Sequence, residues 1–159
     1  MPKILVVYDS VTGNTEKMAY AVAEGAQQVK GVTVTVKKVD KIKLEDLMEA
    51  DGIIMGSPTY YGQMSAKMKG LIDESEKIHG KLEGKVGAAF TSSGGTASGA
   101  ETTLLSILQA MLIHGMIIQG RSKSKHYGPA AVEAPNKEEL ETCKETGRRT
   151  AQLLLKLKA

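Results

Sequence analysis

Three stretches of this chain gather side chains able to hold a ligand, and none of the three contains a lysine or arginine. The first, Asp9-Ser10-Val11-Thr12-Gly13-Asn14-Thr15, follows an apolar run and precedes a helical pattern. Ser10, Thr12 and Thr15 offer hydroxyls, Asn14 an amide, and Gly13 a close backbone approach. At a strand end that leads into a helix, such a turn presents N–H groups and the positive end of the helix dipole to an anion. The triphosphate-binding pattern G-x-x-x-x-G-K-[ST] is absent: there is no lysine, and the glycines do not fit. A terminal monophosphate remains, a dianion small enough to be ringed by neutral donors. The plainer alternative is a hydroxyl-rich turn with Thr15 as helix N-cap.

The second stretch is Gly56-Ser57-Pro58-Thr59-Tyr60-Tyr61-Gly62-Gln63-Met64. Two adjacent tyrosines between a proline and a glycine are poorly placed for a core. A flat ring system can stack there, although they can also merely close a surface loop. The third stretch, Thr91-Ser92-Ser93-Gly94-Gly95-Thr96-Ala97-Ser98-Gly99, is dense in small residues, so a ligand edge can reach its backbone amides. It is not a serine-hydrolase elbow: alanine sits where G-x-S-x-G needs serine, and no His/Asp set accompanies it. Phosphate donors, aromatic faces and backbone donors together suit a flat heterocycle with one phosphate. No catalytic acid–base pair is found.

These stretches act together only if the fold brings them to one edge. Short apolar runs at 3–8, 32–39, 52–56, 86–91 and 116–119 alternate with amphipathic segments. Four of the runs are nearly continuous, as expected for parallel strands covered on both faces. Val32-Thr33-Val34-Thr35-Val36 alternates strictly, which predicts an edge strand with one wetter face. Helical stripes recur at Met18, Val22 and Val29, at Met64, Met68 and Leu71, at Leu104, Leu108 and Met111, and at Leu140, Cys143 and Gly147. A short helix is expected around 44–49, and Asn136 is a plausible N-cap for the last helix.

The pattern predicts an α/β three-layer sandwich, one domain over 1–159, with a five-stranded parallel sheet in the order 2-1-3-4-5. In that order ligands bind at the carboxyl ends of strands 1 and 3, a rule whose stated example is flavodoxin. All three stretches lie at strand carboxyl ends.

Composition narrows the function class. A chain of 159 residues, 25% charged with mixed sign, is that of an ordinary soluble domain. A net charge of +3 with no recognition motif gives no reason to expect nucleic acid. One cysteine, Cys143, excludes an intramolecular disulfide and multi-cysteine metal sites; its helical spacing marks it as core. His79 and His126 share no metal-ligand spacing with anything and are assigned to the surface. Met1-Pro2-Lys3 runs straight into a strand, so no signal peptide is expected, no membrane span is visible, and the cytoplasm is the expected location.

Over nearly its whole length the chain resembles FMN-binding flavodoxin-like proteins. Ser10-Val11-Thr12-Gly13-Asn14-Thr15 is similar to the FMN-phosphate loop of flavodoxins. Pro58-Thr59-Tyr60-Tyr61-Gly62-Gln63-Met64-Ser65, Ser92-Ser93-Gly94-Gly95, His114-Gly115-Met116 and Tyr127-Gly128 look more like the NAD(P)H:quinone oxidoreductases of the Trp-repressor-binding-protein (WrbA) family.

The resemblance implies noncovalent FMN, with its phosphate on the opening loop. Pro58, Thr59, Tyr60, Tyr61 and Gly62 would line one side of the isoalloxazine, and 93–99 would contact its polar edge. His114 matches a family position near the flavin, with a possible catalytic part; the plainer reading is a histidine closing a helix before Gly115. The implied function is transfer of two electrons from NAD(P)H to a quinone-type acceptor. The alternative is a flavodoxin-type electron carrier between redox protein partners. A homo-oligomer, dimer or tetramer, is also implied. The chain departs from the quinone-reductase pattern by being shorter after residue 39, before Gly84 and within 121–136, and by lacking tryptophan. The basic run Arg121, Lys123 and Lys125 can attract a dinucleotide phosphate or simply form a solvated loop.

Overall fold

The computed structural model describes the whole chain, Met1–Ala159. Six strands form one parallel sheet: β1 (Lys3–Tyr8), β2 (Thr33–Lys38), β3 (Gly52–Pro58), β4 (Val86–Ser93), β5 (Ile117–Ile118) and β6 (Ala130–Val132). Five helices flank it: α1 (Asn14–Gln27), α2 (Leu44–Glu49), α3 (Ala66–Glu74), α4 (Ala100–Ile113) and α5 (Lys137–Lys158). The strand order is β2-β1-β3-β4-β5, as the alternation of runs and helices predicts.

Two cores sandwich the sheet because successive side chains of each central strand point to opposite faces. Ile4, Val6, Tyr8, Ile54 and Phe90 pack against α1 and α5. Leu5, Val7, Ile53, Met55 and Ala89 pack against the other layer, with Met68, Leu104 and Ile107. Each fully buried large apolar side chain contributes about 1.5–3 kcal/mol from removal of its surface from water. Glycines set the closest approaches. A Cβ on Gly147 would lie 1.9 Å from the Val22 carbonyl oxygen, and one on Gly56 would lie 1.9 Å from the Phe90 ring. The Gly147 value explains how α5 can press its backbone onto α1.

β2 is the edge strand, and its side chains alternate between exposed and half-buried along Thr33–Val36. Asn136 caps α5 as expected: it accepts from the Glu139 N–H at 2.8 Å, while Glu139 accepts from the Asn136 N–H at 2.9 Å. Cys143 is buried in the α1–α5 core, and burial pushes its thiol up to about 12, so it is protonated at neutral pH.

The expected fifth strand is present, within 116–119, and a sixth that the sequence did not predict adds to the sheet. Beyond β4 lies a divided strand position: β5 pairs with Val86 and Gly87, and β6 with Thr91, Ser92 and Ser93. Between them residues 119–129 loop out of the sheet. The second half was invisible in the sequence because a run as short as Ala130-Ala131-Val132, with Pro129 before it and Pro135 after it, carries no readable period. No helix is long and apolar enough to cross a membrane.

Candidate functional site

The turn between β1 and α1 is shaped by Gly13, whose φ of 94° lies in the left-handed region and whose absent Cβ would meet nothing within 4 Å. The Gly13 N–H donates to Ser10 Oγ at 3.1 Å, and the Lys17 N–H to the Gly13 carbonyl at 3.1 Å, which starts the helix. Thr15 is therefore not the N-cap that the plainer alternative required. It lies inside the first turn, almost fully buried, with its hydroxyl 2.7 Å from Ser92 Oγ. The N–H groups of Ser10, Val11, Thr12, Asn14, Thr15 and Glu16 meet no acceptor in the protein, and no side chain caps the helix. These donors converge with the dipole of α1, the arrangement that receives an anion.

Two acidic groups border this cradle. Tyr8 donates to Glu16 at 2.6 Å; burial first, and then Glu16, push its phenol well above its ordinary range. Tyr8 is thus a core residue rather than a ligand face. Asp9 is only 4% exposed, and no donor within the chain reaches its carboxylate. It stands in the first stretch, but nothing in the sequence marks this residue as so little exposed.

The second loop is held from below. The Thr59 N–H donates to the Ser92 carbonyl at 2.7 Å. Thr91 Oγ1 donates to the Ser57 carbonyl at 2.6 Å, so the 2.7 Å contact between the Thr59 and Thr91 hydroxyls uses the Thr59 proton. Tyr60 and Gln63 exchange backbone hydrogen bonds of 2.9 and 3.0 Å, with Tyr61 (φ 52°) and Gly62 (φ 74°) between them. Positive φ at both central residues is a tight type I′-like reversal. It holds the Tyr61 side chain fully in solvent and leaves Tyr60 about half exposed. A left-handed tyrosine costs on the order of 1 kcal/mol, a strain that concentrates at ligand sites.

The third loop touches the second. A Cβ on Gly99 would lie 2.5 Å from Gly62 Cα, and Thr102 Oγ1 donates to the Gly62 carbonyl at 2.8 Å. Ser93 turns its hydroxyl proton to the Gly95 carbonyl (2.9 Å), and Ser98 to that of Thr96 (3.2 Å). The N–H groups of Gly94, Gly95, Thr96, Ala97 and Ser98 have no acceptor in the chain.

Ser10 to Thr15, Pro58 to Gly62 and Ser93 to Gly99 are thus brought to one sheet edge, tied through Ser92 and through the Gly62–Gly99 contact. Sequence reasoning included Thr91 and Ser92 in the third stretch without seeing their roles, and passed over Thr102, because those roles consist of bonds between segments distant in the chain.

His114 is not brought to this edge. It follows the 14-residue α4, about 21 Å along the helix from the third loop, next to the start of β4. Ser75 Oγ donates to the Ile72 carbonyl at 2.6 Å, so His114 Nε2 donates to Ser75 at 2.8 Å. Its Nδ1 is buried without a partner, and burial, then His79, holds its pKa below the ordinary histidine value. No group of three or more metal-ligating side chains exists anywhere in the chain.

The sequence and the architecture both have parallels among known proteins. Residues 2–125 match the family described as NADPH-dependent FMN reductase. A flavodoxin of Aquifex aeolicus is 41% identical over 160 residues, covering 96% of this chain and 86% of that protein. An NAD(P)H dehydrogenase (quinone) of Archaeoglobus fulgidus is 38% identical over 191 residues, covering 99% of this chain and all of that one. The crystal structure of a flavodoxin, WrbA-like protein from Agrobacterium tumefaciens superposes with a TM-score of 0.85 at 30% identity, covering 98% of this chain and 99% of that one.

Proposed function

This chain belongs to the NADPH-dependent FMN reductase family of flavodoxin-like oxidoreductases, and from that premise we propose that it binds FMN and carries electrons from NAD(P)H to a quinone-type acceptor. The observation that carries the reading is the set of unpaired N–H groups between Ser10 and Glu16, all but that of Gly13, in a loop without any cation. Such a cradle fits a monophosphate that is held and never transferred, since no phosphoryl transition state needs neutralising.

The proposed holders divide the cofactor between them. Ser10, Thr12, Gly13, Asn14 and Thr15 would take the phosphate. Pro58, Thr59, Tyr60, Tyr61 and Gly62 would flank the ring. The loop from Ser93 and Gly94 through Gly95, Thr96, Ala97 and Ser98 to Gly99 would donate N–H groups to the ring's polar edge. The chemistry FMN supplies when bound is transfer of two electrons from a reduced nicotinamide to an oxidised acceptor. The chain's own part is orientation and electrostatics. N–H donors fixed at the ring's edge favour added electron density there and need no reorganisation. The strained Tyr61 turn keeps an aromatic side chain at the site without recourse to the core. The whole chain would act as one domain.

A second reading, a carrier that docks redox proteins, is favoured by one feature. Val11, Tyr60 and Tyr61 are exposed beside the same loops and could meet a protein partner. Turnover separates the two. FMN-loaded protein that oxidises NADPH or NADH with a soluble quinone, and with no second protein, is a reductase. FMN-loaded protein that stays oxidised under NAD(P)H until a separate reductase is added is a carrier.

A further inference from the structure

A cavity of about 490 Å³ opens beside the third loop, between the start of α4 and the segment that leads into β6. Its size falls within the roughly 300–1,000 Å³ of small-molecule sites. Among its lining residues Lys125 is the only lysine or arginine and Glu101 the only acid; Tyr127 supplies the one phenol ring. We propose that this cavity receives the adenosine 2′-phosphate end of a nicotinamide dinucleotide, with Lys125 pairing the phosphate and Tyr127 covering the purine. The proposal names a donor subsite for the reductase reading and rests on it.

The basic run is not equivalent along its length. Arg121 is committed: its Nε and Nη2 reach Glu145 at 3.1 and 2.9 Å, and its Nη1 donates to Ser124 Oγ at 2.9 Å. Lys125 has no carboxylate partner; its ammonium is anchored by one bond to the Ala130 carbonyl, at 2.8 Å. An unpaired ammonium fixed at the cavity wall is suited to a phosphate dianion. The His126 ring is held beside it, its Nδ1 donating to the Arg121 carbonyl at 2.7 Å.

The turn that carries these groups is held in shape before any ligand arrives. The Arg121 N–H donates to the His126 carbonyl at 3.2 Å, and the Gly128 N–H to the Lys125 carbonyl at 3.1 Å. Lys125 itself is left-handed, with φ 51°. Gly128, at φ 135°, lies so close to β4 that a Cβ would stand 2.1 Å from the Ala89 carbonyl oxygen. Strain at a non-glycine residue, sustained by a closed frame, is how a site keeps one side chain aimed. The cavity shares Ser93, Gly95, Thr96 and Ala97 with the candidate ring-edge loop, so one extended dinucleotide can span both. Glu101 lies in the first turn of α4, where the helix end offsets its charge.

The test needs no turnover. FMN-loaded protein is titrated calorimetrically with 2′,5′-ADP and with 5′-ADP. The expected result is at least tenfold tighter binding of 2′,5′-ADP, a ratio near one in Lys125→Gln, and a parallel weakening of both ligands in Tyr127→Ala. Circular dichroism melts establish that both variants are folded. Equal affinities in the unaltered protein, a preference that survives Lys125→Gln, or no binding at all would overturn the subsite. Failure of the parent reading looks different. Protein that prefers 2′,5′-ADP through Lys125 yet never oxidises NADPH keeps this subsite and loses the reductase. Protein that oxidises NADPH and ignores Lys125→Gln keeps the reductase and loses the subsite.

Discussion

At the amino edge of the sheet polar groups are paired within the chain, with the buried His114 Nδ1 as the exception; at the carboxyl edge whole runs of backbone N–H groups meet no acceptor in the chain. Asp51 shows the first condition. It accepts from the Lys3 N–H at 2.8 Å and from Lys158 at 2.7 Å, while its own N–H donates to the Lys3 carbonyl at 2.8 Å. Lys85 nearby donates to the Met48 carbonyl at 2.9 Å. The loops at the other edge show the second, with unpaired donors and left-handed backbone at Tyr61 and Ala97. The difference separates a scaffold edge from the edge that carries the candidate site.

The largest effect should come from breaking the scaffold. Gly147→Val places side-chain atoms against the α1 backbone at Val22 and should cost on the order of 4 kcal/mol or more, against a total of about 5–15 kcal/mol. Chemical denaturation reads this directly; a cost below about 1 kcal/mol would mean that the two helices can separate cheaply.

Changing the site should trade stability against binding. Tyr61→Gly relieves a left-handed tyrosine and removes a fully exposed ring, so it should stabilise the protein by about 0.5–1 kcal/mol. FMN affinity should fall by roughly tenfold, the loss of one aromatic contact. Denaturation and flavin-fluorescence titrations check the two halves, and a variant that gains stability without losing FMN would remove Tyr61 from the site.

His114 gives the smallest and most discriminating effect. Its folded pKa lies below the ordinary value of about 6.5, because of burial and then His79. Below that pH the unfolded chain binds more protons than the folded one. The stability is therefore complete above about 6.5 and declines as pH falls through the folded pKa. His114→Asn should flatten that decline, read as the dependence of melting temperature on pH. If the amino edge is scaffold only, FMN binding by the single chain stays unchanged. A drop in FMN affinity in this variant would bring His114 into the site by a route one chain does not contain.

The alternation of apolar runs and amphipathic segments was enough to read the strand order, because parallel strands covered on both faces leave a strong signature. The three loops were legible for the same reason: each is a polar or small-residue break directly after such a run. What stayed hidden depends on contacts across the chain. Ser92 holds Thr15 and Thr59 by bonds that no local pattern encodes. β6 is too short to have a period, and its place beside β4 is fixed by Gly128 pressing on Ala89. His114 carried a family likeness in sequence, yet the direction of α4 sends it to the far edge. The basic run also looked uniform until Glu145 was found holding Arg121 and nothing acidic holding Lys125.

The central claim is that the loop after β1 reads a phosphate with neutral donors. Thr12 is exposed, so Thr12→Val alters a donor with little effect on the fold. The direct measurement is the ratio of FMN to riboflavin affinity, by fluorescence titration, in the unaltered protein and in Thr12→Val. The account predicts a strong preference for FMN that shrinks about tenfold in the variant, wholly through weaker FMN binding, as expected for one lost charge-assisted bond. Equal losses for FMN and riboflavin, or no preference to begin with, would contradict it.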